Sequence, residues 1–130
     1  MHLKIITHEK VVFDNEVDEI YTRGIDGEFG ILKNHEPVTC PLGIGVTRIN
    51  AGGKTEQYTT MGGIFQFKDE NAVILTDSSE NANDIDVERA KLAKQRAELR
   101  LAEKKAETDI KRAEAALARA LARLKVAVKE

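Results

Sequence analysis

Residues 84–90 read "DIDVERA", and the chain changes character across them. Before this stretch lie all nine glycines (Gly24 to Gly63), Pro37 and Pro41, and all six aromatic residues (Phe13 to Phe67). After it comes a run of alanine, leucine, lysine, arginine and glutamate with no glycine or proline. That composition favours helix. Asp84 or Asp86 can cap its start by accepting orphan backbone N–H bonds. The boundary is therefore placed here, between a β head at 1–84 and a helical tail at 85–130. Charge divides at the same point. The head holds 7 basic and 14 acidic residues, net −7, and the tail 13 basic and 8 acidic, net +5.

Working back from the boundary, the head reads as short strands. "LKIITH" (3–8), "KVVF" (10–13), "EVDEIYTR" (16–23), "IGVTRIN" (44–50), "TEQYTTM" (55–61), "IFQFK" (64–68) and "AVILTD" (72–77) are rich in β-branched or aromatic residues. Turn signals separate them. Asp26-Gly27 is expected as a two-residue hairpin turn, and "AGGK" (51–54) as another. No helical pattern intervenes, so βαβ connections are not expected. "AVILT" lacks polar alternation and is expected to be buried on both faces. An antiparallel sandwich or flattened barrel follows.

Working forward, Val87, Ala90, Ala93, Ala97 and Leu101 form one helical stripe. Ile110, Ala113, Leu117, Ala120, Leu124 and Val128 form a second. Thr108 or Asp109 can cap a second helix. One continuous helix is the alternative, but it leaves an alanine/leucine stripe wet. A hairpin buries both stripes and lets two backbones approach closely.

The candidate chemistry is sparse in the head. "GIDGEFGILKNHEP" (24–37) has a glycine at every third position to residue 30, but it is neither a P-loop nor a dinucleotide turn, and reads as tight turns. His2, His8 and His35 lack metal-ligand spacing. Cys40, beside Pro41, reads as packing. No enzyme chemistry stands out. With a net charge of −2 the chain has no general attraction for nucleic acid, and the tail interleaves its bases with acids and lacks aromatics for stacking. No stretch approaches the roughly 18 apolar residues of a membrane span, so direct membrane insertion is not expected.

The tail arginines carry more. Arg89 and Arg96 are two turns apart, and Arg119 and Arg123 one turn, so each pair shares a face. If the hairpin turns near Glu107, all four cluster along one edge. Like charges so placed repel by a few tenths of a kcal/mol per exposed pair, about 0.2–0.5. A polyanion would convert that repulsion into charge-assisted bonds. A solvated charged face is the plainer alternative.

The whole chain resembles the ε subunit of bacterial F-type ATP synthases. The resemblance rests on "GEFGILKNHEP" (27–37), which fits G-E-x-G-I-L-x-x-H-x-P, on "GGIFQF" (62–67) followed by "AVILTD", and on "IDVERA" (85–90), which fits I-D-x-x-R-A. It implies a ten-stranded antiparallel β-sandwich head and a two-helix antiparallel hairpin, in a non-catalytic rotor subunit at the cytoplasmic face of the bacterial membrane. The implied partners are the γ subunit and the c-ring, the latter through Glu28 and His35. The implied regulatory ligand is ATP, held by the folded hairpin at Glu80, Ile85, Asp86, Arg89, Ala90, Arg96, Arg119 and Arg123, with no catalytic cofactor. Asn81 departs from the basic residue found at the site's rim in some relatives. In a second, extended state the hairpin would rise toward the catalytic α/β ring and brake hydrolysis. Arg112, Arg119, Arg123 and Lys125 would then face an acidic segment of β. The alternatives are a constitutively inhibitory hairpin without ATP, and a β-sandwich adaptor with a coiled-coil tail outside any motor.

Overall fold

The computed structural model describes residues 1–103 and 106–128. The end of the expected tail (129–130) and two positions near its expected turn (104–105) lie outside the described residues. The head contains β1 (His2–Ile6), β2 (Val11–Glu16), β3 (Glu19–Gly24), β4 (Gly27–Leu32), β5 (Val38–Ala51), β6 (Lys54–Lys68) and β7 (Asn71–Leu75). A 3-10 turn, Ala82–Asp84, leads into α1 (Val87–Ala102) and α2 (Glu107–Ala127).

The ten expected strands are seven, hydrogen-bonded in one sheet of order β2-β1-β7-β6-β5-β3-β4. β5 and β6, 14 and 15 residues long, each run unbroken where shorter segments were expected. Gly62 and Gly63, expected as a turn, lie inside β6 at φ +75 and +114. Positive φ in a strand kinks it without ending it, which only glycine does cheaply. The all-antiparallel expectation also fails at one place. β1 and β7, the first and last strands, pair in parallel, with the whole intervening meander as their crossover.

The sheet closes on itself. Phe13 of β2 stacks edge-on against Tyr58 of β6, with ring centroids 5.7 Å apart, and Phe29 of β4 against Phe65 of β6 at 5.4 Å. Both pairs join strands that are three places apart in the sheet order, so the edges lie over its centre. Leu3, Ile5, Ile20, Ile31, Phe65, Phe67 and Ile74 fill the space between. A buried hydroxyl chain crosses three strands on that inner side: Thr22 to Thr47 at 2.8 Å and Thr47 to Thr60 at 2.5 Å. "AVILT" alternates after all. Ala72, Ile74 and Thr76 are buried, but Leu75 is 50% exposed. Leu75 continues a row of directly opposed residues (Val11, Ile6, Leu75, Ile64 and Pro41) on the face away from the core.

The turns follow local chemistry. Gly52 and Gly53 both take positive φ between Ala51 and Lys54, as a tight hairpin requires. The β3–β4 turn is centred on Ile25-Asp26 rather than on Asp26-Gly27, and of these residues only Gly27 has positive φ. The glycine therefore relieves the backbone one position later than expected.

The tail is a hairpin. Ala90 and Ala97 of α1 are buried, as are Ala113 and Ala120 of α2. Val87 and Val128, at the stripe ends, remain exposed. α2 also packs on β5 and β6. Its start has no side-chain cap. The helix begins at Glu107, ahead of both Thr108 and Asp109, which places those two inside its first turn rather than before it. Glu107 and Asp109 still complement the helix dipole there. Among the described residues no helix is long and apolar enough to cross a membrane.

Candidate functional site

The connection from head to tail sets the site. Beyond β7 the chain runs along β6. Thr59 N–H donates to the Glu80 carbonyl at 2.8 Å, and Glu80 N–H donates to Thr59 Oγ1 at 3.0 Å. Glu80 is thus clamped to the head. Asn81 then caps the 3-10 turn, accepting from Asn83 N–H at 3.0 Å. Ile85 is buried and pins the chain. Asp86, the second of the two proposed caps, accepts Arg89 N–H at 3.0 Å and starts α1. Helical periodicity carries the rest, because Arg89, Arg96 and Arg100 recur on one face.

These elements enclose an open cleft of about 460 Å³ beside the hairpin seam. It is lined by Glu80, Asp86, Arg89, Ala90, Arg96 and Arg123, six of the eight positions implied for ATP. Ile85 and Arg119 do not line it. Ile85 is buried, and Arg119 is half-buried on α2. The lining also includes Arg100 and Asp84, with Ala93, Ala97 and Ala116. Arg100 went unread in the sequence, although its signal was present, four residues after Arg96 on the same face.

The cleft therefore presents four guanidinium-bearing residues and three carboxylates, with alanines leaving the space between them. Arg123 Nε donates to Glu80 Oε1 at 2.8 Å, joining α2 to the head. Guanidinium groups grip phosphate or carboxylate oxygens through planar paired bonds. The volume lies within the roughly 300–1,000 Å³ usual for small-ligand pockets.

The other expected positions fall elsewhere. Glu28 and His35 line one depression on the head with Ile25, Val38, Cys40 and Pro41. His35 Nδ1 lies 2.7 Å from the Glu36 carbonyl, and its ring stands edge-on to Phe67. Burial pushes the Cys40 thiol up from its ordinary value, in keeping with packing rather than reactivity. Of the residues implied for the β contact, Arg112 and Lys125 are exposed, while Arg119 and Arg123 are half-buried. His2 bonds Asp14 through one ring nitrogen and Glu16 through the other. Among the described residues no group of three or more His, Cys, Asp or Glu could hold a metal ion.

Comparison with known proteins covers the whole of this architecture. Residues 1–82 match the family model described as ATP synthase, Delta/Epsilon chain, beta-sandwich domain, and residues 83–127 match its long alpha-helix domain. The chain is 48% identical to the ATP synthase epsilon chain of Desulforamulus reducens over 96% of its own length and 95% of the relative's. It is 44% identical to that of Nitratidesulfovibrio vulgaris, over 97% and 94%. A chain of the Euglena gracilis mitochondrial ATP synthase, in a cryo-EM structure of its OSCP/F1/c-ring, superposes with a TM-score of 0.83 at 26% identity, covering 98% of this chain and 80% of that one. A chain of the Tetrahymena thermophila central stalk/c-ring structure shares the fold, with a TM-score of 0.64 at 10% identity over 98% of this chain and 96% of that one.

Proposed function

The chain belongs to the ATP synthase delta/epsilon family, as an epsilon-type, non-catalytic subunit of that complex, and from this premise we propose that its hairpin regulates the enzyme and that its cleft takes ATP as a regulatory ligand. One observation carries the reading. The cleft gathers Arg89, Arg96 and Arg100 from α1 and Arg123 from α2 around one space closed by Glu80 of the head. A ligand there touches both helices and the head together, so it binds the folded hairpin alone. Such a ligand shifts the population toward the folded state by its differential affinity and by no more.

The arginines would meet the phosphates. Asp86, at the mouth of α1, would brace the helix start and accept from the adenine amino group. With the cleft empty, the hairpin would open and extend toward the catalytic ring. Arg119 and Arg123 would then be freed from their half-buried places to join Arg112 and Lys125 against an acidic segment of β. That extended form is the brake on hydrolysis. High ATP holds the hairpin folded and permits turnover.

The head would couple γ to the c-ring at the cytoplasmic face of the membrane. Glu28 and His35, sharing one depression, offer polar contacts to the ring. The exposed row from Val11 to Pro41 offers an apolar surface that fits γ. Removal of residues 85–130 in the assembled enzyme tests the brake. Hydrolysis at low ATP is expected to rise, and unchanged hydrolysis would sink the regulatory reading.

A further inference from the structure

One turn of the head departs from its own local preference. Asp69 and Glu70 join β6 to β7 between the paired residues Lys68 and Asn71, with φ +52 and +62. Two successive positive φ values favour asparagine or aspartate followed by glycine. A glutamate in the second place carries backbone strain that nothing within the turn repays. The compensation lies 36 residues away in sequence, where Glu70 Oε1 accepts the backbone N–H of Asn34 at 2.8 Å.

The turn is well anchored. The Glu70 carbonyl accepts the His2 N–H at 2.9 Å, and the Asn71 side-chain amide donates to the Asp69 carbonyl at 2.9 Å. The loop that Glu70 reaches has less to hold it. Residues 33–37 connect β4 to β5 outside the strand ladders, and Asn34 stands there at φ +64. The His35 N–H returns to the Leu32 carbonyl of β4 at 3.2 Å, and His35 Nδ1 meets the carbonyl of its neighbour Glu36. Among the described residues, the bond to Glu70 is the one hydrogen bond that ties this loop to the head beyond β4. It grips the residue just before His35, whose ring stands edge-on to buried Phe67 and lines one depression with Glu28.

We propose that Glu70 is a positioning residue for the ring-facing surface of the head. Its side-chain oxygen holds Asn34 in the left-handed conformation and so sets His35 beside Glu28. The inference rests on the reading of Glu28 and His35 as contacts to the c-ring. Without the acceptor, Asn34 relaxes toward negative φ, and His35 moves with it. The requirement is for an oxygen and not for a charge, because a backbone N–H needs only an acceptor.

Two substitutions separate these roles. Glu70→Ala removes the oxygen and keeps a Cβ at the same positive φ, whereas Glu70→Gln supplies an oxygen without charge. Amide exchange is followed by NMR in the full-length chain, and ion pumping is compared with ATP hydrolysis in the assembled enzyme. In Glu70→Ala the Asn34 amide is expected to exchange about three- to tenfold faster, the range for one lost hydrogen bond, while amides of β1 and β6 keep their rates. The same variant should pump fewer ions per ATP hydrolysed, and Glu70→Gln should restore both readouts. Unchanged Asn34 exchange in Glu70→Ala overturns the inference, as does equal acceleration in Glu70→Gln. A normal pumping ratio in Glu70→Ala, when His35→Ala lowers it, overturns the positioning role and leaves the ring contact standing. A normal ratio in Glu28→Ala, His35→Ala and Glu70→Ala alike removes the ring contact, and the positioning role with it.

Discussion

Replacing Ala97 by leucine tests whether the hairpin is held by close approach of two alanine faces. Ala97 is 2% exposed, and Ala113 and Ala120 across the seam are each 1% exposed. A leucine adds three carbons at a nearly closed seam, where they must press on α2 or crowd into the cleft that Ala97 also lines. Overpacking of this kind costs about 1–3 kcal/mol. The strain falls on the hairpin, which opens more readily than the head because one of its helices, α1, rests chiefly on the other. At roughly 1.4 kcal/mol per factor of ten, α1 and α2 amides should exchange on the order of five- to a hundredfold faster. The head provides the internal reference, so amides of β1, β6 and β7 should keep their rates. Leu99→Ala provides the matched control. Leu99 lies on the same helix but is 66% exposed, and its loss should change exchange by no more than about twofold. Equal exchange in Ala97→Leu and the parent chain would refute the seam as the element that holds the hairpin closed. Equal acceleration in both variants would refute the assignment of faces.

Two further outcomes concern the head. Gly63→Ala should destabilise it by more than about 2 kcal/mol in chemical denaturation, since φ +114 strains any other residue and an added Cβ would overlap the Leu75 carbonyl, whose carbon would lie 2.8 Å away; a loss near zero would contradict the kinked-strand account of β6. His2 should titrate by NMR above its ordinary 6.5, because its bonds to Asp14 and Glu16 favour the imidazolium, while the bond to His2 lowers Glu16 from 4.5. The His2 contribution to stability is full below pH 6.5 and is lost as pH rises through its raised value; the Glu16 contribution is full above pH 4.5 and is lost as pH falls through its lowered value. Stability from this cluster is thus greatest between those limits, and Asp14→Asn should bring the His2 midpoint down.

Much of this was legible from composition and spacing. The acid-to-helix transition at Asp86 is a cap in the structure, and the paired glycines at 52–53 make the turn that positive φ demands. The hairpin followed from the need to bury two small-residue stripes. The strand count was harder. Gly62-Gly63 looks like a turn in sequence, and only the closing of the sheet makes it a kink within β6. Residues 27–32 looked like glycine turns, yet they form β4, because their neighbours on β3 supply a hydrogen-bond ladder that local propensity cannot reveal. The parallel β1–β7 pair joins the two ends of the strand series, and no local pattern records it. In the cleft, helical spacing located Arg89 and Arg96 and would have located Arg100. Arg119 was expected beside them because it shares a face with Arg123 in a lone helix. Packing of α2 on both α1 and the head narrows what counts as one face. Glu80 entered through resemblance alone, since its position depends on two bonds to a threonine 21 residues earlier.

The most direct test of the nucleotide cleft is calorimetric titration of the isolated chain with ATP and then ADP, repeated on Arg89→Ala and Arg96→Ala. The account predicts saturable one-site binding of ATP, weaker binding of ADP, and loss of both in the variants. An absence of heat up to millimolar ATP, or binding that survives both substitutions unchanged, would contradict it.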